Sequence, residues 1–304
     1  MTDKEENPLK LKVWFLETRP QFLLLSVVLA FLGTCVAWYD DAFHLGYALL
    51  AFVGLLLAHI SVNVLNDYFD YRSGIDLEAK RTPFSGGSGI LPAALLKPGQ
   101  VLWYGLICFL LAMPIGIYFV IARGWPLLPL LVVGAVCVLL YTPFITKLGW
   151  PEWAPGVGMG ALPVLGAYFV QTTDYTLTAV VAAIPSGILV HNLLLLNEFP
   201  DAEVDKKAGR KTLPIVIGKA RASIVYSVLT VAVYLWIIGG VAAGSIPAFS
   251  LIALLSLPLA LKAIQGAMKH QDPSALVPAM ANNVIVVLLT QLLLGIGFIL
   301  ARVF

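Results

Sequence analysis

Charged side chains are scarce in this sequence: Asp, Glu, Lys and Arg make up 12% of 304 residues, whereas hydrophobic residues make up 60%. The mean hydropathy is +0.90. A soluble protein this apolar could not cover its surface with polar groups, so the scarcity of charge excludes an ordinary soluble fold. The formal net charge of +2 says little about partners, because the distribution of charge matters more than its sum. We expect no nucleic-acid partner.

Cysteines are also few. Cys35, Cys108 and Cys137 each fall inside an apolar run, and none has the spacing of metal ligands. We therefore predict that all three are small packing residues rather than a metal site. The apolar run that begins at Phe22 lacks a small-residue cleavage site, which argues against a removable signal peptide.

Long apolar runs are what the sequence has in abundance. Each is roughly as long as a helix that crosses a 30 Å hydrocarbon core, and in lipid every backbone polar group must be paired within its segment. The runs lie near residues 22–38, 46–66, 101–122, 127–145, 154–171, 177–197, 222–243, 247–264 and 280–301. The sequence therefore predicts an all-α, polytopic membrane protein with nine transmembrane helices.

The basic residues predict an orientation for these helices. With the N-terminus in the cytoplasm and alternating sides, 17 of the 19 Lys and Arg residues lie on the cytoplasmic side, and only Arg123 and Arg302 lie outside. Such an excess matches the positive-inside rule. We therefore predict a multi-pass protein of the cell membrane whose two long connections, about 67–100 and 197–221, are cytoplasmic.

The first long connection follows a polar motif, Asn63-Val-Leu-Asn66-Asp67-Tyr-Phe-Asp70. Its polar positions are three or four residues apart, so on a helix they share one face. An acidic stripe at the end of an apolar helix is costly in lipid, and we expect it to face an interior cavity.

The second connection opens on Asn197-Glu-Phe-Pro-Asp201-Ala-Glu-Val-Asp205, whose Asn and Asp residues again share a helical face. The spacing from Asn197 to Asp201 repeats that from Asn66 to Asp70, which suggests an internal pseudo-repeat of roughly residues 22–145 and 154–264. Both halves belong to a single predicted domain, 1–304.

Carboxylates and amide oxygens are hard ligands that suit Mg²⁺, and Mg²⁺ binds substrate phosphates readily. Basic residues flank both motifs and could contact phosphate oxygens. They are Arg72, Lys80 and Arg81 near the first motif, and Lys206, Lys207, Arg210 and Lys211 near the second. The two motifs together predict a diphosphate site; a solvated helix end is the simpler alternative for either motif alone.

The sequence resembles the UbiA superfamily of intramembrane prenyltransferases over nearly its whole length. The resemblance rests on the nine apolar runs and on two blocks of sequence, Asn66-Asp-Tyr-Phe-Asp70-Tyr-Arg-Ser-Gly-Ile-Asp76 and Asp201-Ala-Glu-Val-Asp205-Lys-Lys-Ala-Gly-Arg-Lys-Thr-Leu-Pro. Both blocks are most similar to the branch that prenylates 1,4-dihydroxy-2-naphthoate. One departure is Gly74, which stands where other branches carry the last acid of the first motif; here the acid is Asp76.

The resemblance implies helices around a central cavity beneath a cytoplasmic cap, and Mg²⁺-dependent transfer from an isoprenyl diphosphate to an aromatic acceptor. The implied metal ligands are Asn66, Asp70, Asp76, Asn197, Asp201 and Asp205. The implied catalytic acids are Asp67, Asp70, Asp201 and Asp205. The implied diphosphate ligands are Arg19, Arg72, Lys80, Arg81, Tyr141, Lys147, Lys206 and Lys207. For Arg19 and Lys147, a plain positive-inside anchor is an equal alternative.

Three other functions remain open at this point. One is prenylation of a different acceptor, such as the glycerol phosphate ether of archaeal lipids. Another is a divalent-cation or solute transporter, although transporter sites usually lie near the bilayer midplane. The third is phosphatidyl transfer, for which the acids would stand in one contiguous block. The sequence leaves the prenyl chain length and the oligomeric state open.

Overall fold

The computed structural model describes residues 11–304, and these residues form helices and no strands. We number the principal helices α1 to α9. They are α1 Pro20–Tyr39, α2 Leu45–Ser73, α3 Pro98–Arg123, α4 Leu128–Leu140, α5 Leu162–Thr172, α6 Leu177–Lys207, α7 Lys219–Ala242, α8 Leu257–Met268 and α9 Pro273–Val303. The all-helical fold predicted from composition is confirmed.

Eight helical stretches in residues 11–304 are long and apolar enough to cross a membrane, so the chain is a multi-pass membrane protein. Two of them are completed by short turns of helix, in Trp153–Thr172 and Ala248–Met268. The fourth predicted run corresponds to a shorter apolar segment, Trp125–Leu140, which contains α4. The count of nine crossings therefore stays a prediction.

The two Asp motifs lie at one end of the bundle, and Arg123 and Arg302 lie at the other. Arg302 pairs with Asp41, and Arg123 donates hydrogen bonds to the carbonyls of Val170 and Gln171, each over 2.8 Å. The two basic residues predicted to lie outside are thus separated from the acids, while the side that faces the cytoplasm stays a prediction.

Close approaches between helices depend on small residues. A Cβ at Gly33 of α1 would lie 2.3 Å from the carbonyl oxygen of Val164 in α5, so only glycine permits this contact. Gly156 and Gly160 approach the backbone of α6 in the same way. The small-residue segment after Pro155 thus serves close helix packing. All three cysteines are free and buried, which agrees with a packing role.

Gly74 determines where the first motif ends. It adopts a φ of +85°, ends α2 after Ser73, and is followed by a separate short helix, Ile75–Glu78. This left-handed conformation is readily accessible to glycine. The turn folds Asp76 back into the buried interior beside the end of α2.

Candidate active site

The first motif forms a connected polar group at the end of α2. Asn66 Nδ2 donates to Asp70 Oδ2 and to Thr142 Oγ1, both over 3.1 Å. Asp67 and Asp70 are buried, with exposed fractions of 1% and 7%. The four-residue spacing thus brings Asn66 and Asp70 into direct contact, and the segment after α4 supplies a further polar partner.

Arg19 contacts this motif from the start of α1. Its Nη1 lies 3.3 Å from Asn66 Oδ1 and 3.6 Å from Asp67 Oδ1. The side chain is only 14% exposed. A residue that merely anchors the chain to lipid headgroups would be solvated, so these contacts favour the site interpretation of Arg19.

Arg210 joins the two motifs. Its guanidinium pairs with Asp70 of α2 and with Asp205 of α6, the latter over 3.1 Å. The side chain is 13% exposed, and the carboxylates of Asp70 and Asp205 raise the pKa of Arg210 against the effect of burial, so it remains charged. A planar guanidinium can hold two carboxylates at once, which a lysine ammonium does less well.

A glycine-rich loop, residues 85–89, lies across both motifs. Gly86 N donates to Asp201 Oδ2 over 3.1 Å, and Ser88 N donates to Asp67 Oδ2 over 2.8 Å. Between them, Gly87 has a φ of +69°, and a Cβ there would lie 2.6 Å from Asp76 Oδ2. Burial, followed by the nearby Asp70 and Asp67 carboxylates, raises the pKa of Asp76 to about 8.

Glu17 is a site residue that the sequence did not reveal. It is fully buried, and its Oε2 accepts a hydrogen bond from Ser88 Oγ over 2.9 Å. Burial, then the Asp67 carboxylate, raises the pKa of Glu17 to about 8. Glu17 therefore connects the segment before α1 to the glycine-rich loop.

The segment after α4 is fixed to the loop that follows the second motif. Lys211 N donates to the Thr146 carbonyl over 2.8 Å, and Leu213 N donates to Glu152 Oε1 over 2.7 Å. Tyr141 lies close to Arg210, and burial, with the neighbouring Glu198, raises the pKa of its hydroxyl. Tyr141 thus lies at the edge of the acid cluster, by which we mean the two Asp motifs joined through Arg210.

The structure does not bring every predicted residue to this cluster. Arg72, Lys80, Lys147 and Lys206 have exposed side chains, and Lys207 pairs with Glu78 over 3.0 Å on the surface. Arg81 is exposed and donates to the Ser88 carbonyl, within the glycine-rich loop. Asn197 is buried, one turn before Asp201, and its Oδ1 has no hydrogen-bond partner. Diphosphate contacts by the exposed residues stay predictions.

The donor chemistry of the cluster fits Mg²⁺. Within residues 11–304, no three His, Cys, Asp or Glu side chains converge as a ready-made cage. Mg²⁺ does not require one, because it commonly keeps several waters and binds one or two carboxylates together with substrate phosphates. Two buried oxygens, Asp67 Oδ1 and Asn197 Oδ1, accept no hydrogen bond, although Asp67 Oδ1 is paired with Arg19 over 3.6 Å. The metal-binding role of Asn66, Asp70, Asp201 and Asp205 stays a prediction.

These features define the chain as a helical membrane protein with a buried, acid-rich site at one end of its bundle. Residues 25–299 match the UbiA prenyltransferase family, so the chain belongs to that family and is a prenyltransferase. The predicted resemblance is confirmed.

Relatives and solved structures agree with this assignment. The 1,4-dihydroxy-2-naphthoate octaprenyltransferase of Bacillus subtilis is 30% identical, over 93% of this chain and 91% of that protein. The enzyme of the same name from Haemophilus influenzae is 27% identical over 96% and 97%. A structure described for digeranylgeranylglyceryl phosphate synthase superposes with a TM-score of 0.66 at 19% identity, over 95% and 99% of the chains. A UbiA homolog from Archaeoglobus fulgidus bound to GPP and Mg²⁺ gives 0.58 at 13% identity, over 91% and 99%.

Proposed function

We propose that this chain transfers an isoprenyl group from an isoprenyl diphosphate to an aromatic acceptor, 1,4-dihydroxy-2-naphthoate or a similar quinone precursor, in a Mg²⁺-dependent reaction. The observation that carries the proposal is the junction of the two Asp motifs, 131 residues apart in sequence, through Arg210 and the glycine-rich loop. A single aspartate-rich helix end would not need such a junction.

In this proposal, Asn66, Asp70, Asp201 and Asp205 would hold Mg²⁺, which would neutralise charge on the diphosphate and make it a better leaving group. Arg19, which lies beside Asn66 and Asp67, and Arg210, which lies beside Asp70 and Asp205, would contact phosphate oxygens. The C–O bond of the donor breaks and its electron pair leaves with the diphosphate. A ring carbon of the acceptor then forms the new C–C bond and loses a proton.

The glycine-rich loop has a protective role in the same scheme. An allylic cation reacts with any water that reaches it, so the site must exclude solvent. Gly86 and Ser88 hold the loop against the two motifs, and Ser85 and Gly86 are buried. Residues 85–89 thus serve as part of the cap that was predicted over the site.

The choice of acceptor rests on the relatives. Several proteins of 26–30% identity are named as naphthoate prenyltransferases. An ether-lipid acceptor is the second candidate, and it is supported only by a fold likeness to the digeranylgeranylglyceryl phosphate synthase structure. Membership of the prenyltransferase family removes the transporter alternative. We place the active-site loops and the N-terminus, which lies outside the described residues, in the cytoplasm, because 17 of the 19 Lys and Arg residues then lie on that side.

The test is a product assay with purified protein, Mg²⁺, radiolabelled prenyl diphosphates and a panel of acceptors. Asp70→Asn and Asp201→Asn keep the shape of each side chain and remove its charge, and each should lower transfer by about a hundredfold or more, equivalent to roughly 2.7 kcal/mol of transition-state stabilisation. Asp272→Asn, an exposed acid in a loop, is the matched control and should retain activity.

Removal of the metal completes this experiment. EDTA should abolish transfer by the wild type, and added Mg²⁺ should restore it. Full activity in chelator would contradict the mechanism, and transfer only to a glycerol phosphate ether would replace the aromatic acceptor with the lipid one.

A further inference from the structure

Ser26 of α1 and His59 of α2 form a buried polar pair deeper in the bundle than the acid cluster. Ser26 Oγ lies 2.9 Å from His59 Nδ1, and the two residues are 0% and 5% exposed. Both belong to helices that are long and apolar enough to cross a membrane. Polar and ionisable groups in such helices are costly, and by default they indicate a functional site. The site described above does not include this pair.

The pair lies two helical turns from the first Asp motif on both of its helices. His59 is seven residues before Asn66 in α2, and Ser26 is seven residues after Arg19, which contacts Asn66. Seven residues return a helix to nearly the same face and span roughly 10 Å. The contacts Arg19–Asn66 and Ser26–His59 are therefore two levels of one interface between α1 and α2.

The second ring nitrogen of His59 is available to a ligand. Among residues 11–304, only Nδ1 of this ring has a hydrogen-bond partner. Nε2 is not one of the fully enclosed polar atoms that lack a partner, so it borders open space. Leu55 and Ala30, each one turn beyond the pair, line an apolar cavity of about 880 Å³. The pair therefore lies between the acid cluster and that cavity.

The surroundings of His59 supply no other base at its level. The helices α3, α4 and α5 also pack against α2, and Arg123, at the opposite end of the bundle, is the sole charged residue in 98–123, 128–140 and 162–172. The charged groups of the acid end that face α2 are Arg19, Arg210, Asp67, Asp70 and Asp76. The uncharged titratable groups of α3, α4 and α5 are Tyr104, Cys108, Tyr118, Cys137 and Tyr168.

We infer that His59 is the proton acceptor of the transfer reaction and that Ser26 positions its ring. The inference rests on the proposed function, because it assumes a diphosphate bound between the Asp motifs. The reacting carbon of the donor would then lie one phosphate group from the motifs, and a near-attack contact would place the acceptor ring about 3–3.5 Å beyond that carbon. A hydroxyl on the ring would reach the depth of His59.

Ser26 fixes the form of the ring that this role requires. In a neutral imidazole one nitrogen donates and the other accepts. When Nδ1 donates its proton to Ser26 Oγ, Nε2 presents its lone pair to the open space. A ring without this bond could rotate or adopt the other tautomer, so Ser26 acts as a positioning residue.

The proton transfer makes the acceptor ring a better nucleophile. The O–H bond of the ring hydroxyl breaks, its proton goes to His59 Nε2, and its electron pair is drawn into the ring as the new C–C bond forms. The C–O bond of the donor breaks, and its electron pair leaves with the diphosphate. His59 then returns its proton to the ring oxygen, while the substituted ring carbon gives its own proton to the departing diphosphate.

The experiment compares His59→Gln with the wild type in a transfer assay across a range of pH. Glutamine can still form hydrogen bonds but cannot accept the proton, so we expect kcat to fall about a hundredfold. The KM for the aromatic acceptor should change little, and so should the protection that the acceptor alone gives against thermal unfolding. In the wild type, kcat/KM should decline toward low pH as His59 becomes an imidazolium; this decline should be reduced in His59→Gln.

Two further variants separate the base from its support. His59→Ala should regain part of its activity when imidazole is added, because imidazole supplies the missing base. Ser26→Ala should lower kcat by about tenfold and keep the pH dependence, since a misplaced base still titrates.

His191→Gln is the matched control. His191 is also buried, but both of its nitrogens are occupied: Trp150 Nε1 donates to Nε2 over 2.8 Å, and Nδ1 lies 3.1 Å from Asn192 Oδ1. The same substitution should lower the melting temperature here and leave the pH dependence of kcat/KM as in the wild type.

The outcomes distinguish this inference from the proposed function. An active His59→Gln protein with the kcat and pH profile of the wild type would overturn the inference alone. A lower kcat with an unchanged pH profile would also overturn it, since His59 would then only support the fold. If neither variant at His59 folds, a wild-type kcat in Ser26→Ala overturns it. A wild type that transfers to no aromatic acceptor would overturn the proposed function, and the inference with it.

Discussion

The amide nitrogen of Gly86 donates a hydrogen bond over 3.1 Å to Oδ2 of Asp201, a residue 115 positions later in the chain. Ser88 makes the equivalent bond to Asp67 of the first motif. Residues 85–89 are therefore held by one acid from each motif. The position of this loop depends on both motifs being in place, so damage to the loop should affect the site as a whole.

Substitution of Gly87 tests how closely the loop must approach the acids. Gly87→Ala would force an unfavourable left-handed φ and place a Cβ 2.6 Å from Asp76 Oδ2. Gly209→Ala is the matched control, since its φ is +82° but its Cβ would meet no atom within 4 Å. Both variants should lose roughly 1–2 kcal/mol of stability to backbone strain. Only Gly87→Ala should also lose most transfer activity; equal activity in the two would show that the contact with Asp76 is unimportant.

Arg210 should be needed for stability as well as activity. Arg210→Ala leaves Asp70 and Asp205 buried without their cation, and removal of one partner of a buried pair typically costs about 3–5 kcal/mol. Arg210→Lys should recover part of that loss, because an ammonium group keeps the charge but not the two-pronged geometry. Unfolding in detergent and prenyl transfer are the two measurements.

Lys211→Ala provides the comparison for Arg210. The Lys211 side chain is exposed, and only its backbone contacts Thr146 and Trp150. It should behave as the wild type does. If the Arg210→Ala protein were as stable and active as the wild type, Arg210 would not be a functional residue of the site.

Glu17 should make the stability of the protein depend on pH. Its pKa is about 8 in the folded protein, against an ordinary value of 4.5, so the folded state binds the extra proton between those values. The stabilisation is complete below the unfolded pKa and is lost as the pH rises through the folded pKa. The melting temperature of the wild type should therefore fall from about pH 5 to about pH 8 and change little above that.

Glu17→Gln should reduce that slope, because an amide cannot titrate and can still accept the hydrogen bond from Ser88. Asp76, whose pKa is also raised to about 8, should account for part of the remaining slope. Glu203→Gln, at an exposed position of α6, is the control and should leave the slope unchanged. An identical slope in Glu17→Gln and wild type would contradict the buried, protonated state.

The orientation of the bundle can be tested by labelling. In a background without Cys35, Cys108 and Cys137, a cysteine that replaces Lys206 should react with an impermeant reagent only after the cells are opened. A cysteine in place of Phe304, which is 88% exposed at the opposite end, should react in intact cells. The reverse pattern would invert the proposed topology.

The helices and the contact between Asn66 and Asp70 could be predicted from the sequence for clear physical reasons. Hydropathy identifies spanning segments because lipid excludes unpaired backbone groups, and a four-residue spacing necessarily puts Asn66 and Asp70 on one face. It grouped Arg210 with Lys206, Lys207 and Lys211 as basic residues near the second motif, but the implied diphosphate ligands included Lys206 and Lys207 and left out Arg210. These four residues share one short stretch of sequence, and only the tertiary fold decides that one of them points inward.

Glu17 was missed for a related reason. A lone glutamate before a basic residue and a proline looks like part of a solvated end of the chain. Its burial depends on the glycine-rich loop, which lies 71 residues later and has no regular periodicity from which its path could be derived. Contacts between irregular segments therefore account for most of what the sequence left open.

The pairing of Asp70 with Arg210 also has a consequence for how the chain enters the membrane. The two residues are 140 positions apart, so the ribosome releases α2 long before it makes the cation that neutralises Asp70. An unpaired carboxylate is costly in hydrocarbon. The last turns of α2 must therefore remain at the water-facing boundary of the bilayer while Asp70 is unpaired. The contact between the two Asp motifs can form only after residue 210 has been synthesised.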